Sequence, residues 1–308
     1  MHYRRLGRTD LQVSEISLGA LEIGRDWGIK VEGDFGRPEE QDAIRLVETA
    51  IDQGINFLDT APAYQLSEER LGKVLVHHRG EVYIGTKVGE HYSDARGFWY
   101  DSSPLAVRAS IEQSLRRLGI DTIDLLQIHS ASLDIIDQGE VLAEMQRFQQ
   151  AGHVRFLGMS GGNNEALAAI ENGSYDTVQV VFNILDQGAA QTVFPEAEKC
   201  DVGVIIMLPV GQGILTAKRA HLEPEDKRRR QAEALEGLER PGQTLAQAAL
   251  RFVLASKAVS TAIAGTRKVD HLLENFAASG TPLTDDDMAL VTRLWQQELM
   301  VFHREDRQ

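Results

Sequence analysis

Short apolar runs alternate with amphipathic segments over almost the whole chain. The runs are about four to seven residues long and rich in Val, Ile and Leu, as expected for parallel strands buried on both faces. The predicted strands are Ser14–Leu18, Asn56–Asp59, Val82–Thr86, Ile123–His129, Phe156–Ser160, Thr177–Phe182, Val204–Leu208 and Val259–Ile263.

Helical periodicity fills the gaps between these runs. Proline near a helix start, and glycine just after a helix end, are typical start and stop signals. The clearest predicted helices are Pro38–Gln53 before Gly54, Ser102–Leu118 before Gly119, Asn163–Asn172 before Gly173, and Thr244–Ala255.

The alternation gives about eight strand–helix units, which right-handed connections can arrange as an open doubly wound sheet or a closed barrel. An eightfold count over roughly 250 residues favours the second, an α/β fold of the (β/α)8 TIM-barrel type. We expect a single domain over residues 1–308. Its additions are an N-terminal hairpin at His2–Val13 on the barrel floor, a charged insertion at Ala217–Gly242, and a last helix at Thr284–Glu298.

Composition narrows the class of partner. The chain has 32 Lys and Arg against 46 Asp and Glu, a net charge of −14, which argues against nucleic acid or an acidic membrane. The single cysteine, Cys200, excludes an internal disulfide and a cysteine zinc cluster. No signal core or membrane-length apolar run is present. We therefore expect a cytoplasmic protein without a metal; its oligomeric state stays open.

Ionisable side chains follow three neighbouring predicted strands. Asp59 ends the second strand, with Tyr64 five residues later, while Lys87 and His129 end the third and fourth. Barrel active sites lie at the carboxyl ends of the strands, so we expect these four groups to meet. A free tyrosine, with a pKa of about 10, is a weak acid that a nearby ammonium strengthens. The set suits proton delivery to a developing alkoxide.

Longer motifs give the sequence a family resemblance. RLGRTDLQVSEISLG, GINFLDTAPAY, SEERLGKVL, the GTK and QIH strand ends, and AIAGTRKVDHLLENF occur in order along the chain. They resemble the aldo-keto reductases. The resemblance implies an NADP(H)-dependent oxidoreductase that reduces an aldehyde or ketone to an alcohol, reversibly. It also implies the tetrad Asp59, Tyr64, Lys87 and His129, with Tyr64 as general acid.

The resemblance also implies cofactor-binding positions. Ser160 and Gln179 would hold the nicotinamide carboxamide, although Gly161 replaces the usual Asn, and Met207 stands where an aromatic residue usually stacks on the nicotinamide. The pyrophosphate loop would use Pro209, Gly211, Gly213 and Leu215, and the adenosine end Gly265, Thr266, Arg267, His271, Glu274 and Asn275. A helix beginning just after Thr266 would offer free N–H groups to the 2′-phosphate.

Substrate identity stays open at this stage. Trp27 and Trp99, in the loops Leu21–Arg37 and Glu90–Asp101, are candidate walls of a pocket for a small carbonyl compound or sugar. Two other functions remain possible from sequence alone. One is an NADP-binding regulatory subunit with little turnover; the other is a lyase or isomerase that forms a Schiff base on Lys87.

Overall fold

The structure is a computed structural model that describes residues 1–31 and 35–296. Within these residues the strands are β1 (Tyr3–Arg5), β2 (Gln12–Ser14), β3 (Ile16–Gly19), β4 (Phe57–Asp59), β5 (Tyr83–Val88), β6 (Glu90–Ser93), β7 (Gly97–Tyr100), β8 (Ile123–Ala131), β9 (Val154–Gly161), β10 (Thr177–Val181), β11 (Gly203–Met207) and β12 (Val259–Gly265).

The helices lie mostly between the strands. They are α1 (Leu21–Gly24), α2 (Glu40–Asp52), α3 (Ser67–His78), α4 (Pro104–Leu118), α5 (Leu133–Gln138), α6 (Glu140–Gln150), α7 (Asn163–Asn172), α8 (Gly188–Lys199), α9 (Lys227–Glu233), α10 (Leu245–Leu254), α11 (Val269–Phe276) and α12 (Asp285–Gln296).

Eight strands close into a parallel barrel, in the order β3, β4, β5, β8, β9, β10, β11, β12 and back to β3. The predicted (β/α)8 barrel is therefore confirmed, and each predicted strand overlaps one barrel strand. The predicted and observed ends coincide or differ by at most two residues; β9, for example, starts at Val154 instead of Phe156. Closure leaves no free sheet edge in the ring.

The N-terminal hairpin closes the floor of the barrel. β1 and β2 pair antiparallel, from Tyr3 opposite Ser14 to Arg5 opposite Gln12. The buried side chains of the hairpin pack against those that fill the lower barrel; the cluster is Leu6, Leu11, Val13, Phe57, Leu125, Ile205 and Ile263. Gly7 has a φ of +53°, and a Cβ there would lie 2.0 Å from the Gly203 nitrogen. Only glycine fits such a close approach.

Capping residues explain where the predicted helices begin and end. Ser103 accepts a hydrogen bond from the Ala106 N–H at the start of α4, and Gly119 ends that helix with a left-handed φ of 64°. Thr244 forms a reciprocal capping box with Gln247 at the start of α10. These are the side chains that satisfy otherwise unpaired backbone groups.

Two segments differ from the sequence prediction, and the charged insertion agrees with it. The loop 90–101 is a β-hairpin, in which β6 pairs with β7 from Glu90 opposite Tyr100 to Ser93 opposite Gly97. α11 begins at Val269, not directly after Thr266, because residues 266–268 first form a turn in which Thr266 Oγ1 accepts from the Lys268 N–H. Residues 217–242 hold α9 and short 3₁₀ turns. The end of the predicted helix at Glu298, and residues 32–34 of the first loop, lie outside the described residues.

Two kinds of feature are absent from the described residues. No helix in ranges 1–31 and 35–296 is long and apolar enough to cross a membrane. The same ranges contain no group of three or more His, Cys, Asp or Glu side chains able to hold a metal ion.

Candidate active site

A buried ion pair lies at the carboxyl ends of β4 and β5. Lys87 Nζ is 2.6 Å from Asp59 Oδ1 and also donates to the Thr60 carbonyl at 3.0 Å. The Lys87 and Asp59 side chains are only 1% and 4% exposed. Gln127 of β8 donates to the other Asp59 oxygen at 3.4 Å. Buried charges need partners of this kind, so the pair fixes the position and direction of the ammonium group.

Tyr64 lies directly against this pair. A 3₁₀ turn at Pro62–Tyr64 follows β4 and brings the ring to 5.0 Å from Lys87 Nζ. The same ring meets His129 edge-on, with the ring centres 5.6 Å apart. The structure thus brings together all four side chains that the sequence placed at strand ends.

Burial and the neighbouring charges set the protonation of this group. Burial raises the Tyr64 pKa above 10, and Lys87 only partly opposes it. The expectation that the ammonium makes the phenol a stronger acid describes a real effect, but burial outweighs it. Burial lowers the Lys87 pKa, yet Asp59 and Tyr64 raise it more, so the net direction is upward. Burial likewise raises the Asp59 pKa against the opposing effect of Lys87. Tyr64 therefore keeps its proton, next to a lysine that stays charged.

His129 is held in its neutral form. Burial, with the nearby charges of Lys87 and Arg25, lowers its pKa well below 6.5. An irregularity in the β8–β9 pairing between Ile128 and Ala131, with Ser130 at a φ of 52°, marks the point where the strand turns its end to the mouth. A neutral imidazole carries one N–H group, so it can donate one hydrogen bond to a substrate oxygen.

Sequence reasoning missed charged side chains beside the four. Glu90 Oε2 lies 3.1 Å from His129 Nδ1. The Arg25 guanidinium lies over the rings of Trp27, at 4.8 Å, and Phe98, at 4.3 Å. One feature of the sequence could have pointed to Glu90: it lies three residues after Lys87 and directly after a glycine, which can turn the chain. Arg25 has no comparable feature.

The residues proposed for the nicotinamide end lie on three adjacent strands. Ser160 of β9 and Gln179 of β10 are register partners, and both side chains are buried. Ser160 Oγ is 3.9 Å from the sulfur of Met207 at the end of β11. Gln179 Oε1 is buried without a hydrogen-bond partner among the described residues. An unsatisfied buried acceptor needs a donor from elsewhere.

The segment after β11 is a tight loop of unusual backbone. Leu208, Gly211 and Gly213 have φ values of 56°, 57° and 92°. Asn183 stabilises it by donating to the Leu208 carbonyl at 2.9 Å. A small, open pocket lies beside Leu208 and Gly211, lined also by Val181, Asn183 and Leu185. Pro209 is buried here, and so is the Leu215 side chain at the far end; the glycines leave backbone accessible.

The residues proposed for the adenosine end follow β12. Gly265 ends the strand, and the next residues, Thr266 and Arg267, are buried, with Arg267 Nη1 donating to the Trp27 carbonyl at 3.4 Å. α11 has no side-chain cap. The other three residues, His271, Glu274 and Asn275, lie on α11.

Two of the predicted site residues, Glu274 and Trp99, have neighbours that the sequence did not reveal. Glu274 already accepts a hydrogen bond from the Thr244 hydroxyl at 2.6 Å. Trp99 stacks on His91 within the β6–β7 hairpin, with ring centres 5.3 Å apart. Trp27 contacts the Arg25 guanidinium.

Fold and site together define a (β/α)8-barrel protein with a cluster of buried ionisable side chains at its mouth. The chain belongs to the Aldo/keto reductase family, whose model matches residues 15–296. Members are oxidoreductases that use a nicotinamide cofactor and act on small molecules.

Individual relatives extend along nearly the full chain. The chain is 32% identical to an L-galactose dehydrogenase of Arabidopsis thaliana over 291 residues, covering 89% of this chain and 87% of that one. Among solved structures, an aldo-keto reductase from Bacillus halodurans in its holo form matches with a TM-score of 0.83 and 28% identity over 100% of both chains. A glycerol dehydrogenase from Gluconobacter oxydans matches with a TM-score of 0.80 and 26% identity over 98% of both.

Proposed function

We propose that the protein is an NADP(H)-dependent aldo-keto reductase that reduces an aldehyde or ketone to an alcohol, reversibly. The observation that carries this is the buried Asp59–Lys87 ion pair placed against a protonated Tyr64 and a neutral His129. The proposed unit is one domain, residues 1–308, acting in the cytoplasm on a small carbonyl compound or sugar.

Each of the four side chains has one task in the proposed reaction. Tyr64 donates its hydroxyl proton to the substrate oxygen as negative charge develops there. Lys87 stabilises the phenolate left behind, and Asp59 keeps the ammonium charged and aimed. His129 donates a hydrogen bond to the same substrate oxygen. In the reverse direction the Tyr64 phenolate takes the proton of the alcohol.

The residues at the nicotinamide end fit the cofactor. A carboxamide N–H would satisfy the unpaired Gln179 Oε1, and Ser160 lies beside it on the next strand. Met207 offers a polarisable sulfur in place of an aromatic ring; each kind of contact is worth roughly 0.5–1.5 kcal/mol. When bound, the cofactor supplies the hydride for reduction and accepts it in oxidation.

The choice of NADP over NAD rests on the segment after β12. Arg267 and the uncapped N-terminus of α11 are suited to a 2′-phosphate, with Thr266 and Gly265 beside them. His271, Glu274 and Asn275 complete the adenosine end, while Pro209, Gly211, Gly213 and Leu215 form the pyrophosphate loop. Trp27 and Trp99 are our candidates for the substrate-pocket walls.

Replacing Tyr64 tests the mechanism. Tyr64→Phe keeps the ring and removes the acidic proton, so turnover with a panel of aldehydes and sugars, followed by NADPH absorbance, should fall by about 10²–10⁴-fold. That equals roughly 2.7–5.5 kcal/mol of barrier.

The matched control removes a phenol from the floor of the barrel. Tyr3→Phe loses only a hydrogen bond to the Gly54 carbonyl and should keep wild-type turnover. Both variants should bind NADPH, measured by fluorescence titration, as tightly as the wild type and more tightly than NADH. Turnover of Tyr64→Phe within a few-fold of wild type would remove Tyr64 from the mechanism.

A further inference from the structure

The backbone that precedes Glu90 positions its carboxyl group at the mouth of the barrel. Gly89 has a φ of +103° and turns the chain from β5 into the β6–β7 hairpin, which begins at Glu90, three residues after Lys87. The Asp101 N–H donates to the Gly89 carbonyl at 3.0 Å and closes the base of that hairpin. Glu90 is thereby held against His129, and only 13% of its side chain is exposed.

Glu90 meets the ring nitrogen of His129 that has no other partner. Nδ1 of His129 is buried and has no aligned hydrogen bond within the described residues. Glu90 Oε2 lies 3.1 Å away, at ion-pair distance but out of line for a hydrogen bond in this structure. The two groups are therefore in contact but not aligned, and the Glu90 carboxyl group is the side chain in position to satisfy Nδ1.

Several charged groups face this carboxyl group from the surrounding elements. Burial raises the Glu90 pKa, and Arg25, Lys87 and His91 oppose the rise. Glu90 in turn contributes to the raised Tyr64 pKa. Burial thus favours the uncharged acid, in contact with an imidazole that is itself neutral.

A neutral imidazole has one proton for two nitrogens, and its partner decides where that proton sits. A protonated Glu90 would donate its O–H to Nδ1, so the ring proton of His129 would be on Nε2. An ionised Glu90 can only accept, so the ring proton would be on Nδ1 and Nε2 would carry a lone pair. The second state differs from the first by one proton, released to solvent.

We propose that Glu90 is a positioning residue whose carboxyl group decides which ring nitrogen of His129 carries the proton, and so whether Nε2 donates a hydrogen bond to the substrate oxygen or withholds it. The kinetic consequence rests on the proposed function; the placement of the proton does not. With Glu90 protonated, His129 supports carbonyl reduction. With Glu90 ionised, a lone pair faces the carbonyl oxygen, and reduction slows.

The tautomer can be observed without any substrate. Long-range ¹H–¹⁵N spectra of the full chain labelled with ¹⁵N-histidine distinguish the two tautomers, and loss of one of the nine histidine patterns in His129→Gln assigns the signal. In the wild type we expect the proton on Nε2 at acidic pH and on Nδ1 at alkaline pH. Glu90→Gln, whose amide can donate to Nδ1 at every pH, should keep it on Nε2 throughout.

The matched control removes a carboxylate from the same hairpin without touching His129. Asp94→Asn loses the acceptor of the Tyr92 hydroxyl and should switch as the wild type does. In kinetics, the alkaline fall of the reduction rate in the wild type should move by at least one pH unit in Glu90→Gln and stay in place in Asp94→Asn.

Each alternative result overturns the proposal. A single His129 tautomer over the whole pH range in the wild type would do so, and so would a switch that persists in Glu90→Gln. Failure of the proposed function gives a different pattern, because the tautomer switch would remain while Tyr64→Phe kept full turnover.

Discussion

The same strands line the floor and the mouth of the barrel, and the residues that they contribute to the two ends are two positions apart. Phe57 and Leu125 belong to the apolar cluster that fills the floor, and two positions later β4 and β8 carry the buried polar residues Asp59 and Gln127. Successive side chains of a strand alternate in direction, so residues i and i+2 face the same side. A step of about 7 Å thus takes the interior from a packed apolar cluster to buried polar groups.

The floor and the mouth of the barrel therefore meet different structural requirements. The floor is sealed by hydrophobic side chains of the hairpin, and Leu6 and Leu11 are fully buried there. The mouth instead keeps a lysine and an aspartate almost without solvent contact. Apolar burial stabilises a fold, whereas a buried ion pair contributes little net stability and costs a great deal when one partner is lost. We therefore expect variants at the two ends to separate stability from activity.

The largest effect is expected from breaking the ion pair on one side only. Lys87→Met leaves the Asp59 carboxylate buried without its cation, so we expect the free energy of unfolding to fall by about 3–5 kcal/mol in denaturant titrations. Turnover should fall at least about 10²-fold. The double variant Asp59→Asn/Lys87→Met removes both charges and should regain stability without regaining turnover. A double variant no more stable than the single one would contradict this account of the mouth.

A cavity at the floor should lower the free energy of unfolding without lowering turnover. Leu11→Ala removes a fully buried side chain from the cluster with Phe57 and Ile205, at a cost of about 2–5 kcal/mol in unfolding free energy. The turnover number of the folded enzyme should stay at the wild-type value, measured at a temperature well below the unfolding midpoint. A loss of turnover per folded molecule would show that floor and mouth are coupled.

The smallest effect concerns the pH dependence of stability. The His129 pKa is lower in the folded than in the unfolded chain, so below about 6.5 the unfolded chain binds a proton that the folded one does not. Stability should then decline as pH falls below that value, by at most about 1.4 kcal/mol per pH unit. His129→Gln should lessen this decline in urea titrations at successive pH values, while Leu11→Ala keeps it. An unchanged decline in His129→Gln would assign it to other groups.

The fold and the three strand-end residues, with Tyr64 in the turn after the first of them, could be predicted because each depends on local sequence. An apolar run that ends in Asp59, Lys87 or His129 announces both a strand and the polar residue at its end. The barrel then brings those ends together whatever the details of the connections. Stop signals such as Gly119 placed helix ends to the residue.

The neighbours of the four could not be predicted in the same way. The contact of Glu90 with His129 joins residues 39 apart and depends on Gly89 and on an irregularity in β8. The hairpin itself was obscured because Phe98, Trp99 and Tyr100 are consecutive, so the segment lacks the apolar–polar alternation that marks a half-exposed strand. The direction of the Tyr64 pKa depends on burial, which no short motif encodes.

The contacts between the N-terminal hairpin and the region of β12 also affect the order in which parts of the chain fold during synthesis. Arg4 of the first hairpin donates to the carbonyls of Leu254, Ser256 and Val259, at the end of α10 and the start of β12. On the ribosome these partners emerge roughly 250 residues after the hairpin. The hairpin consequently leaves the exit tunnel long before it can reach its native place, and its apolar side chains need shielding until β12 has been made.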